Sequence, residues 1–341
     1  MKLRYKIGGG LLALLAIAAV SLAIALSYNA PCDTVPALAD GQETIQAVRY
    51  RCYGSRDVLE FGPVEKPEPA ADEVLIKVHA ASVNPLDWHY MRGSPYVMRL
   101  MSGIGKPADT RLGVDFAGTV EAVGDAVTRF EPGDEVFGSA NGAFGEYVTV
   151  RESGAVALKP ANVSVEEAAT VSVAAITALQ ALRDKGRLEP GQKVLINGAS
   201  GGVGTFAVQI AKALGAEVTG VCSTRNVDMV RSIGADHVID YKNEDYTQSD
   251  RRYDLVVDMV GNHSPLRNLG VLEPDGILVL VGGSKGNWIG PLKGPFQAMA
   301  LSPFVDQKIE TFVARLYQKD LLTLAELLEK QAITPVIDRR Y

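Results

Sequence analysis

The segment Asn197-Gly-Ala-Ser-Gly-Gly-Val-Gly204 constrains the fold of this chain more than any other feature of its sequence. It lies between an apolar strand pattern at 193–197 and a helical pattern at 202–214, and a second strand pattern follows at 217–221. Glycine-rich turns in this order are typical of folds that bind a dinucleotide, because the helix N-terminus offers free N–H groups to a pyrophosphate. The alternative is an ordinary glycine-rich turn of an α/β protein.

Two glycines of this turn have separate expected roles. Gly201 lets the backbone approach a pyrophosphate closely, and Gly204 lets the helix pack tightly on the strand. The first glycine of the usual G-x-G-x-x-G pattern is replaced by Ala199. The flanking strands and helix stand in the order that a dinucleotide fold demands, which favours a cofactor site.

The remainder of the 341-residue chain predicts two lobes, since this length exceeds the usual limit of a single hydrophobic core. Short β-branched runs punctuated by glycine and proline indicate a compact barrel-like β lobe up to about residue 159. From residue 165 strand and helix patterns alternate, which predicts a parallel sheet with helices on both faces. The expected strands are 73–79, 118–124, 144–150, 193–197, 217–221, 238–239, 255–258, 277–281 and 333–337, and the expected helices are 165–185, 202–214, 227–233, 305–318 and 321–330.

The N-terminus differs from the rest of the chain. Three basic residues, Lys2, Arg4 and Lys6, precede an uncharged run at 7–28. As a helix this run is about 33 Å long, enough to cross a bilayer, so it predicts a single-pass anchor followed by a linker. A cleaved signal peptide and lipid attachment at Cys32 are the alternatives. The charge asymmetry places the following domain outside the cytoplasm by the positive-inside rule.

Composition excludes several classes of partner and site. The formal net charge of −6 is spread without a long run of one sign, which argues against a nucleic-acid partner. Cys32, Cys52 and Cys222 form no CxxC pair, so we expect reduced cysteines rather than a disulfide framework or a thiolate metal site.

Several motifs in order resemble the quinone-oxidoreductase-like branch of the medium-chain dehydrogenase/reductase superfamily, over about residues 46–341. They are the glycine turn and the segments 81–87, 113–124, 130–138 and 234–241. The resemblance implies an α/β fold in which a Rossmann lobe interrupts a GroES-like β-barrel lobe, with the active site in the cleft between them. The expected divisions are a transmembrane anchor at 1–30, a linker at 31–44, the catalytic lobe at 45–164, the Rossmann lobe at 165–300, and a return to the catalytic lobe at 301–341. Relatives usually continue with another helix and strand, so the return is expected to be truncated.

The same resemblance bears on zinc. Asn84 and Val114 stand where zinc-dependent relatives carry a cysteine and a histidine ligand. Asparagine is a poor zinc ligand and valine is none, and three cysteines cannot supply a four-cysteine structural site. We therefore expect no metal, with His79 and His89 as isolated polar residues.

Without zinc, hydrogen-bond donors must polarise the substrate oxygen as a hydride arrives. The resemblance places Asn84 beside the nicotinamide, with a turn asparagine before Pro85 as the alternative. Tyr53 is a candidate proton donor and Thr177 a candidate nicotinamide neighbour. Packing of a strand tyrosine and a helix threonine are their respective alternatives.

The expected cofactor is NADPH. No acid follows the second Rossmann strand, where NAD-specific folds place one, whereas Ser223 and Arg225 can bind a 2′-phosphate. A solvated Arg225 is the alternative. The expected cofactor-binding residues are Ala199, Ser200, Gly201, Gly202, Val203, Gly204, Ser223, Arg225, Tyr241 and Gly282.

The predicted activity is zinc-independent transfer of hydride between NADPH and a small quinone, enone, aldehyde or ketone. An NADP-dependent alcohol dehydrogenase and a non-enzymatic, membrane-anchored dinucleotide sensor or scaffold are the alternatives, and a homodimer is left open. NADPH is cytosolic, which conflicts with the side of the membrane that the N-terminal charges favour.

Overall fold

The computed structural model describes residues 2–34, 38–39, 41–283, 286–288 and 290–341. Within them, an antiparallel β lobe and a parallel α/β lobe form. The strands of the β lobe are β1 Thr44–Tyr50, β2 Leu59–Glu65, β3 Glu73–Ser82, β4 Asp115–Val123, β5 Glu135–Ser139, β6 Tyr147–Arg151 and β7 Val156–Leu158. The strands of the parallel lobe are β8 Lys193–Asn197, β9 Glu217–Cys222, β10 His237–Asp240, β11 Tyr253–Asp258, β12 Leu272–Leu280 and β13 Lys308–Thr311.

The β lobe is a five-stranded antiparallel sheet in the order β6-β3-β4-β5-β7. A separate ribbon, β1 paired with β2, meets the lobe through isolated bridges at Ala47 with Gly145 and at Arg49 with Arg111. The long strand β3 lies between β4 and β6, and its end leads directly into Val83 and Asn84. The β lobe therefore presents the start of this loop at the end of β3, an inner strand of its sheet.

The second lobe is a six-stranded parallel sheet in the order β10-β9-β8-β11-β12-β13. This is the doubly wound arrangement that the alternating sequence pattern predicts, and it confirms the Rossmann lobe. The strand order reverses between β8 and β11, where a crevice opens at the carboxyl ends of the strands. The glycine turn follows β8 and therefore lies at this crevice.

Helices cover the parallel sheet and connect the lobes. They are α1 Lys2–Ser27, α2 Pro85–Arg92, α3 Arg99–Ser102, α4 Val165–Ala168, α5 Ser172–Leu179, α6 Gly202–Ala213, α7 Val227–Ser232, α8 Pro265–Leu269, α9 Gly290–Leu301 and α10 Gln318–Glu329. The expected helix at 165–185 is divided into α4, α5 and a π-helical turn, Gln180–Lys185.

Two expectations for the C-terminal region are wrong. The segment 305–318 contains β13 rather than a helix, because β13 pairs in parallel with β12 and completes the sheet. Residues 333–337 form no strand, although Ile333 is buried in the core.

One hydrophobic core joins the two lobes. Buried Ala117 and Phe137 of the β lobe belong to the same cluster as Ile196 and Val257 of the parallel sheet. The late helix α10 also packs against both β7 and α5. Burial of this shared apolar surface fixes how the lobes meet.

The first helix corrects the expected transmembrane anchor. Among the described residues, no helix is both long enough and apolar enough to cross a membrane. The last turn of α1 and the following residues are docked on the β lobe, where Leu26 is buried. The Arg99 guanidinium donates hydrogen bonds to the carbonyls of Leu26 and Tyr28, each at 2.9 Å, and to Asn29 Oδ1 at 2.8 Å.

The docked N-terminal segment also brings two cysteines together. Cys32 and Cys52 form a disulfide, with their Cα atoms 4.7 Å apart, so the expectation of three reduced cysteines is wrong. Cys222 is free and buried. A salt bridge from Lys106 to Asp33 holds the expected linker nearby. Cys32 and Cys52, 20 positions apart, meet because the N-terminal segment docks on the β lobe, and their spacing in the sequence does not reveal this contact.

Candidate functional site

A cleft of about 820 Å³ separates the start of α2 from the carboxyl ends of the parallel strands. The β lobe contributes residues 83–86, and the parallel lobe contributes most of the glycine turn. The remaining lining residues are Val173, Ala174, Val221, Cys222, Tyr241, Met259, Val260 and Asn262. The structure thus brings Asn84 and the predicted dinucleotide turn together in one cleft.

Backbone geometry shapes the glycine turn. After β8, Gly198 has a left-handed φ of +96°, and α6 begins at Gly202 with Gly201 as its N-cap. A Cβ atom on Gly204 would lie 2.1 Å from the Gly198 carbonyl oxygen, so this position requires glycine. The first N–H groups of α6 have no partner within the helix, and they belong to residues that line the cleft. They form a site that fits the pyrophosphate of a dinucleotide.

Six of the ten expected cofactor-binding residues line the main cleft, and the other four, Ala199, Ser223, Arg225 and Gly282, do not. Ala199 is fully buried and lies against Gly220, where an added Cβ would be 3.0 Å from the Ala199 Cβ. Gly282 lies against the Met259 carbonyl and lines a smaller adjacent cavity of about 110 Å³. The expected residues that line the main cleft are Ser200, Gly201, Gly202, Val203, Gly204 and Tyr241.

A buried carboxylate that the sequence analysis missed organises the crevice. Asp258, at the end of β11, is fully buried and accepts a hydrogen bond from Asn197 Nδ2 at 2.8 Å. It also accepts from the backbone N–H groups of Val260 and Gly261. Asn197 donates further to Asn262 Oδ1 at 2.8 Å. These bonds connect the ends of β8 and β11 and hold the loop that forms one wall of the cleft.

The loop after β9 carries the predicted phosphate-binding residues. Arg225 is exposed, and Ser223 is half-buried. The missed residue here is Asn226, whose amide donates to Ser200 Oγ at 3.0 Å and so ties the loop to the glycine turn. An acid also lies nearby in space: the Thr224 hydroxyl donates to Asp240 Oδ2 at 2.7 Å.

On the opposite wall, the sequence places Asn84 at the N-cap of α2, directly before Pro85. Its side chain is buried, with 8 % exposed, and still lines the cleft. The Asn84 backbone N–H donates to Asp87 Oδ2 at 2.7 Å, and its side-chain Nδ2 donates to Asp115 Oδ2 at 3.1 Å. Two carboxyl groups therefore hold the main chain and the amide of one asparagine.

Burial changes the ionisation of both carboxyl groups. It raises the pKa of Asp115 to about 7, against the opposing effect of hydrogen bonds from Ser139, Val173 and Asn84. Burial likewise raises the pKa of Asp87 to about 6. The sequence indicates Asp115 only as part of the segment 113–124, because a single aspartate in a strand does not reveal which side chains it contacts.

The other two catalytic candidates do not line the cleft. Tyr53 is buried; its hydroxyl donates to the Gly103 carbonyl at 2.7 Å and lies 2.9 Å from Ser102 Oγ. The Thr177 hydroxyl donates to the Val173 carbonyl one turn earlier in α5, at 2.6 Å. Both hydroxyls are engaged in internal hydrogen bonds.

Comparison with known proteins supports the family resemblance. The chain is 32% identical to a 2-methylene-furan-3-one reductase of Solanum lycopersicum over 83% of this chain and 77% of that protein. The chain belongs to the medium-chain dehydrogenase/reductase superfamily. Two domain families match it: "Alcohol dehydrogenase GroES-like domain" at residues 70–160 and "Zinc-binding dehydrogenase" at residues 202–329. Membership makes the chain an oxidoreductase.

Two further superfamily members share quinone-oxidoreductase names. A chloroplastic quinone-oxidoreductase homolog of Spinacia oleracea is 39% identical over 62% of this chain and 67% of its own length. The crystal structure of an Escherichia coli quinone oxidoreductase complexed with NADPH is 25% identical, with a TM-score of 0.71 over 84% of this chain and 89% of that one.

The superfamily includes zinc enzymes, but this chain carries different side chains at the two expected ligand positions. Val114 is buried and offers no donor atom, and the amide of Asn84 is bound to Asp115. Among the described residues, no group of three histidine, cysteine or acidic side chains is arranged to hold a metal. The residues at the two expected ligand positions do not fit zinc. Zinc independence remains a prediction.

Proposed function

We propose that this protein reduces a quinone or an enone with NADPH, and that the Asn84 amide donates a hydrogen bond to the substrate carbonyl oxygen. The observation that carries the proposal is the position of Asn84, across the cleft from the glycine turn. When bound, the reduced nicotinamide supplies a hydride. A donor fixed opposite it stabilises the negative charge that develops on the oxygen.

The chemistry of the cleft wall favours conjugated substrates. Val83, Pro85 and Leu86 line the Asn84 side, with Met259 and Val260 across from them. None of these five residues carries a titratable group, and the titratable side chains that line the cleft, Cys222 and Tyr241, lie at the ends of strands of the parallel lobe on the cofactor side. Hydride addition to a quinone or enone gives an anion whose charge is delocalised, and water can protonate it. A simple aldehyde would give a strongly basic alkoxide, for which an adjacent acid is a much greater advantage.

We further propose a preference for NADPH over NADH. Arg225 is exposed at the loop that follows β9, where its guanidinium is free to meet a 2′-phosphate. Hydrogen bonds from Thr224 and from the Lys242 backbone hold the pKa of Asp240 below its usual value. This carboxylate opposes a second negative charge, so the preference depends on Arg225.

The relatives' names favour a reductase over the alternatives. The tomato protein and the spinach protein are named for enone and quinone chemistry, and the Escherichia coli structure was determined with NADPH. An alcohol dehydrogenase or a sensor without turnover is not favoured. The activity test is NADPH oxidation with a panel of quinones, enones and aldehydes. Turnover of aldehydes alone, or of none of these compounds, contradicts the proposal.

The decisive variant is Asn84→Ala. We expect kcat for a quinone to fall by about a hundredfold, the usual effect of losing a donor to a developing oxyanion, while the NADPH dissociation constant is unchanged. The matched control is Asn141→Ala, since this exposed asparagine also donates to a carboxylate, Asp109, but lies outside the cleft. If Asn84→Ala retains native kcat, the role assigned to its amide is wrong.

A further inference from the structure

A second side chain is arranged to direct the Asn84 amide. Asp115 lies on β4, is fully buried, and accepts hydrogen bonds from four residues on different parts of the fold. Ser139 Oγ of β5 donates to its Oδ1 at 2.8 Å, and the Val173 N–H of α5 donates to its Oδ2 at 3.1 Å. Asn84 Nδ2 donates at 3.1 Å, and Ser82 Oγ of β3 donates at 3.5 Å, the longest of these bonds. The carboxyl group is thus fixed on both sides before it meets the amide.

We propose that Asp115 is a positioning residue that sets which end of the Asn84 amide contacts it, and thereby directs the remaining N–H toward the substrate oxygen. The inference rests on the proposed role of Asn84. An amide presents an oxygen and a nitrogen of nearly equal size, so shape alone does not choose between its two orientations. An acceptor held in place selects the nitrogen.

The surroundings of Asp115 make it such an acceptor. In its ionised form Asp115 accepts from both Ser139 and Val173, so its remaining lone pairs accept from Asn84 and it offers the amide no proton. Asp87 fixes the same residue from the other side, through the Asn84 backbone N–H. The Asn84 side chain also takes part in a capping box with the Asp87 backbone, and its Nδ2 lies 3.5 Å from Ser82 Oγ. Asp115 makes the shorter contact to the amide nitrogen, at 3.1 Å, and is the acceptor in this set that carries a carboxyl group.

The substitution Asp115→Asn changes this one property with little change in volume. Its Oδ1 can still accept from Ser139 and Val173, so its Nδ2 then faces Asn84 Nδ2. Two donors cannot pair, so the Asn84 amide is expected to turn its oxygen to position 115. We expect kcat for a quinone to fall by about tenfold, and NADPH affinity to remain within about twofold.

A double-mutant cycle separates positioning from a general structural role. In the Asn84→Ala background, Asp115→Asn is expected to change kcat by less than about twofold, because its effect passes through the absent amide. The dissociation constant of a quinone for the NADP+ complex, in which no hydride can transfer, should follow the same pattern. The matched control is Asp125→Asn, an exposed aspartate in the loop after β4, which should alter neither quantity.

The outcomes distinguish the two proposals. Native kcat in Asn84→Ala overturns the proposed donor. A reduced kcat in Asn84→Ala, with a further tenfold loss on adding Asp115→Asn, overturns the positioning role alone.

If Asp115→Asn fails to fold, the pH dependence of kcat in the native and Asn84→Ala chains replaces the cycle. Protonation of Asp115 converts its acceptor to a donor, so native kcat should fall about tenfold from about pH 8 to about pH 5.5, and kcat of Asn84→Ala should not. Asp87 also faces Asp115, but it binds the backbone N–H of residue 84, which Asn84→Ala keeps, so its titration affects both chains. An equal fall in both chains overturns the positioning role.

Discussion

The two walls of the cleft are built by different means. The cofactor wall is formed mainly by backbone: a left-handed glycine, a close approach between Gly204 and Gly198, and the open N-terminus of α6. The substrate wall depends on side chains, since Asn84 is held by the buried carboxyl groups of Asp87 and Asp115. Backbone geometry is insensitive to pH but intolerant of added atoms. A carboxyl network tolerates small changes in volume but depends on charge.

Substitution of Gly204 should have the largest effect of the predicted changes, and it tests the backbone wall. In Gly204→Ala the new Cβ would lie 2.1 Å from the Gly198 carbonyl oxygen and 2.8 Å from the Ala199 backbone, neither of which can rotate away. We expect NADPH affinity to fall by about a hundredfold or more, equivalent to about 3 kcal/mol. Fluorescence titration with NADPH measures the change.

Gly62→Ala is the matched control for this substitution. A Cβ at Gly62, on β2, meets no atom within 4 Å, so affinity and stability should both remain native. A Gly204→Ala protein that binds NADPH within about threefold of the native affinity would show that the backbone geometry of the turn does not limit binding.

Replacement of Arg225, on the cofactor wall, should have an effect of intermediate size. Arg225→Asp removes a planar set of donors and adds a carboxylate near Asp240. We expect the preference for NADPH over NADH to fall by about tenfold to a hundredfold, or about 1.5 to 3 kcal/mol. Dissociation constants for both cofactors, compared with those of Arg231→Asp on α7, give the result. A native preference for NADH, or a variant with unchanged discrimination, contradicts the assignment.

The difference between the two walls also explains why the sequence predicted the cofactor wall well and the contacts of the substrate wall poorly. The glycine turn, the adjacent strands and α6 lie within a short continuous segment, so the sequence predicted their types and order closely. The contact of Asp115 with Asn84 joins residues 31 positions apart, and that of Asp258 with Asn197 joins residues 61 positions apart. A single sequence shows that these aspartates exist but not which amides they meet. Asn226 was missed for the same reason.

The remaining errors have a similar cause. The expected anchor was inferred from hydropathy alone, whereas Arg99, about seventy positions away, binds the carbonyls at the end of α1. The pairing of Cys32 with Cys52 follows from that docked segment. The local pattern of residues 305–318 predicts a helix. In the fold, part of this segment pairs with β12 as β13, and this tertiary contact overrides the local pattern.

The smallest predicted effect concerns stability and pH, and it belongs to the substrate wall. Burial raises the pKa of Asp115 to about 7, well above the value of an unfolded aspartate. Between about pH 4 and about pH 7 the folded chain therefore binds a proton that the unfolded chain has released. The stability contributed by this group is present at low pH and is lost as the pH rises through about 7.

Comparison of the native chain with Asp115→Asn isolates this contribution, because the amide does not titrate. The free energy of unfolding of the native chain, relative to that of the variant, should fall by on the order of 1 to 2 kcal/mol between about pH 5 and about pH 7. Urea unfolding at the two pH values measures it, and Asp125→Asn should instead track the native chain. Buried Asp87, whose pKa is about 6, contributes in the same direction but is present in both chains and cancels in the difference. A difference that is constant with pH would mean that Asp115 is ionised throughout, and its interaction with Asn84 would then be independent of pH in this range.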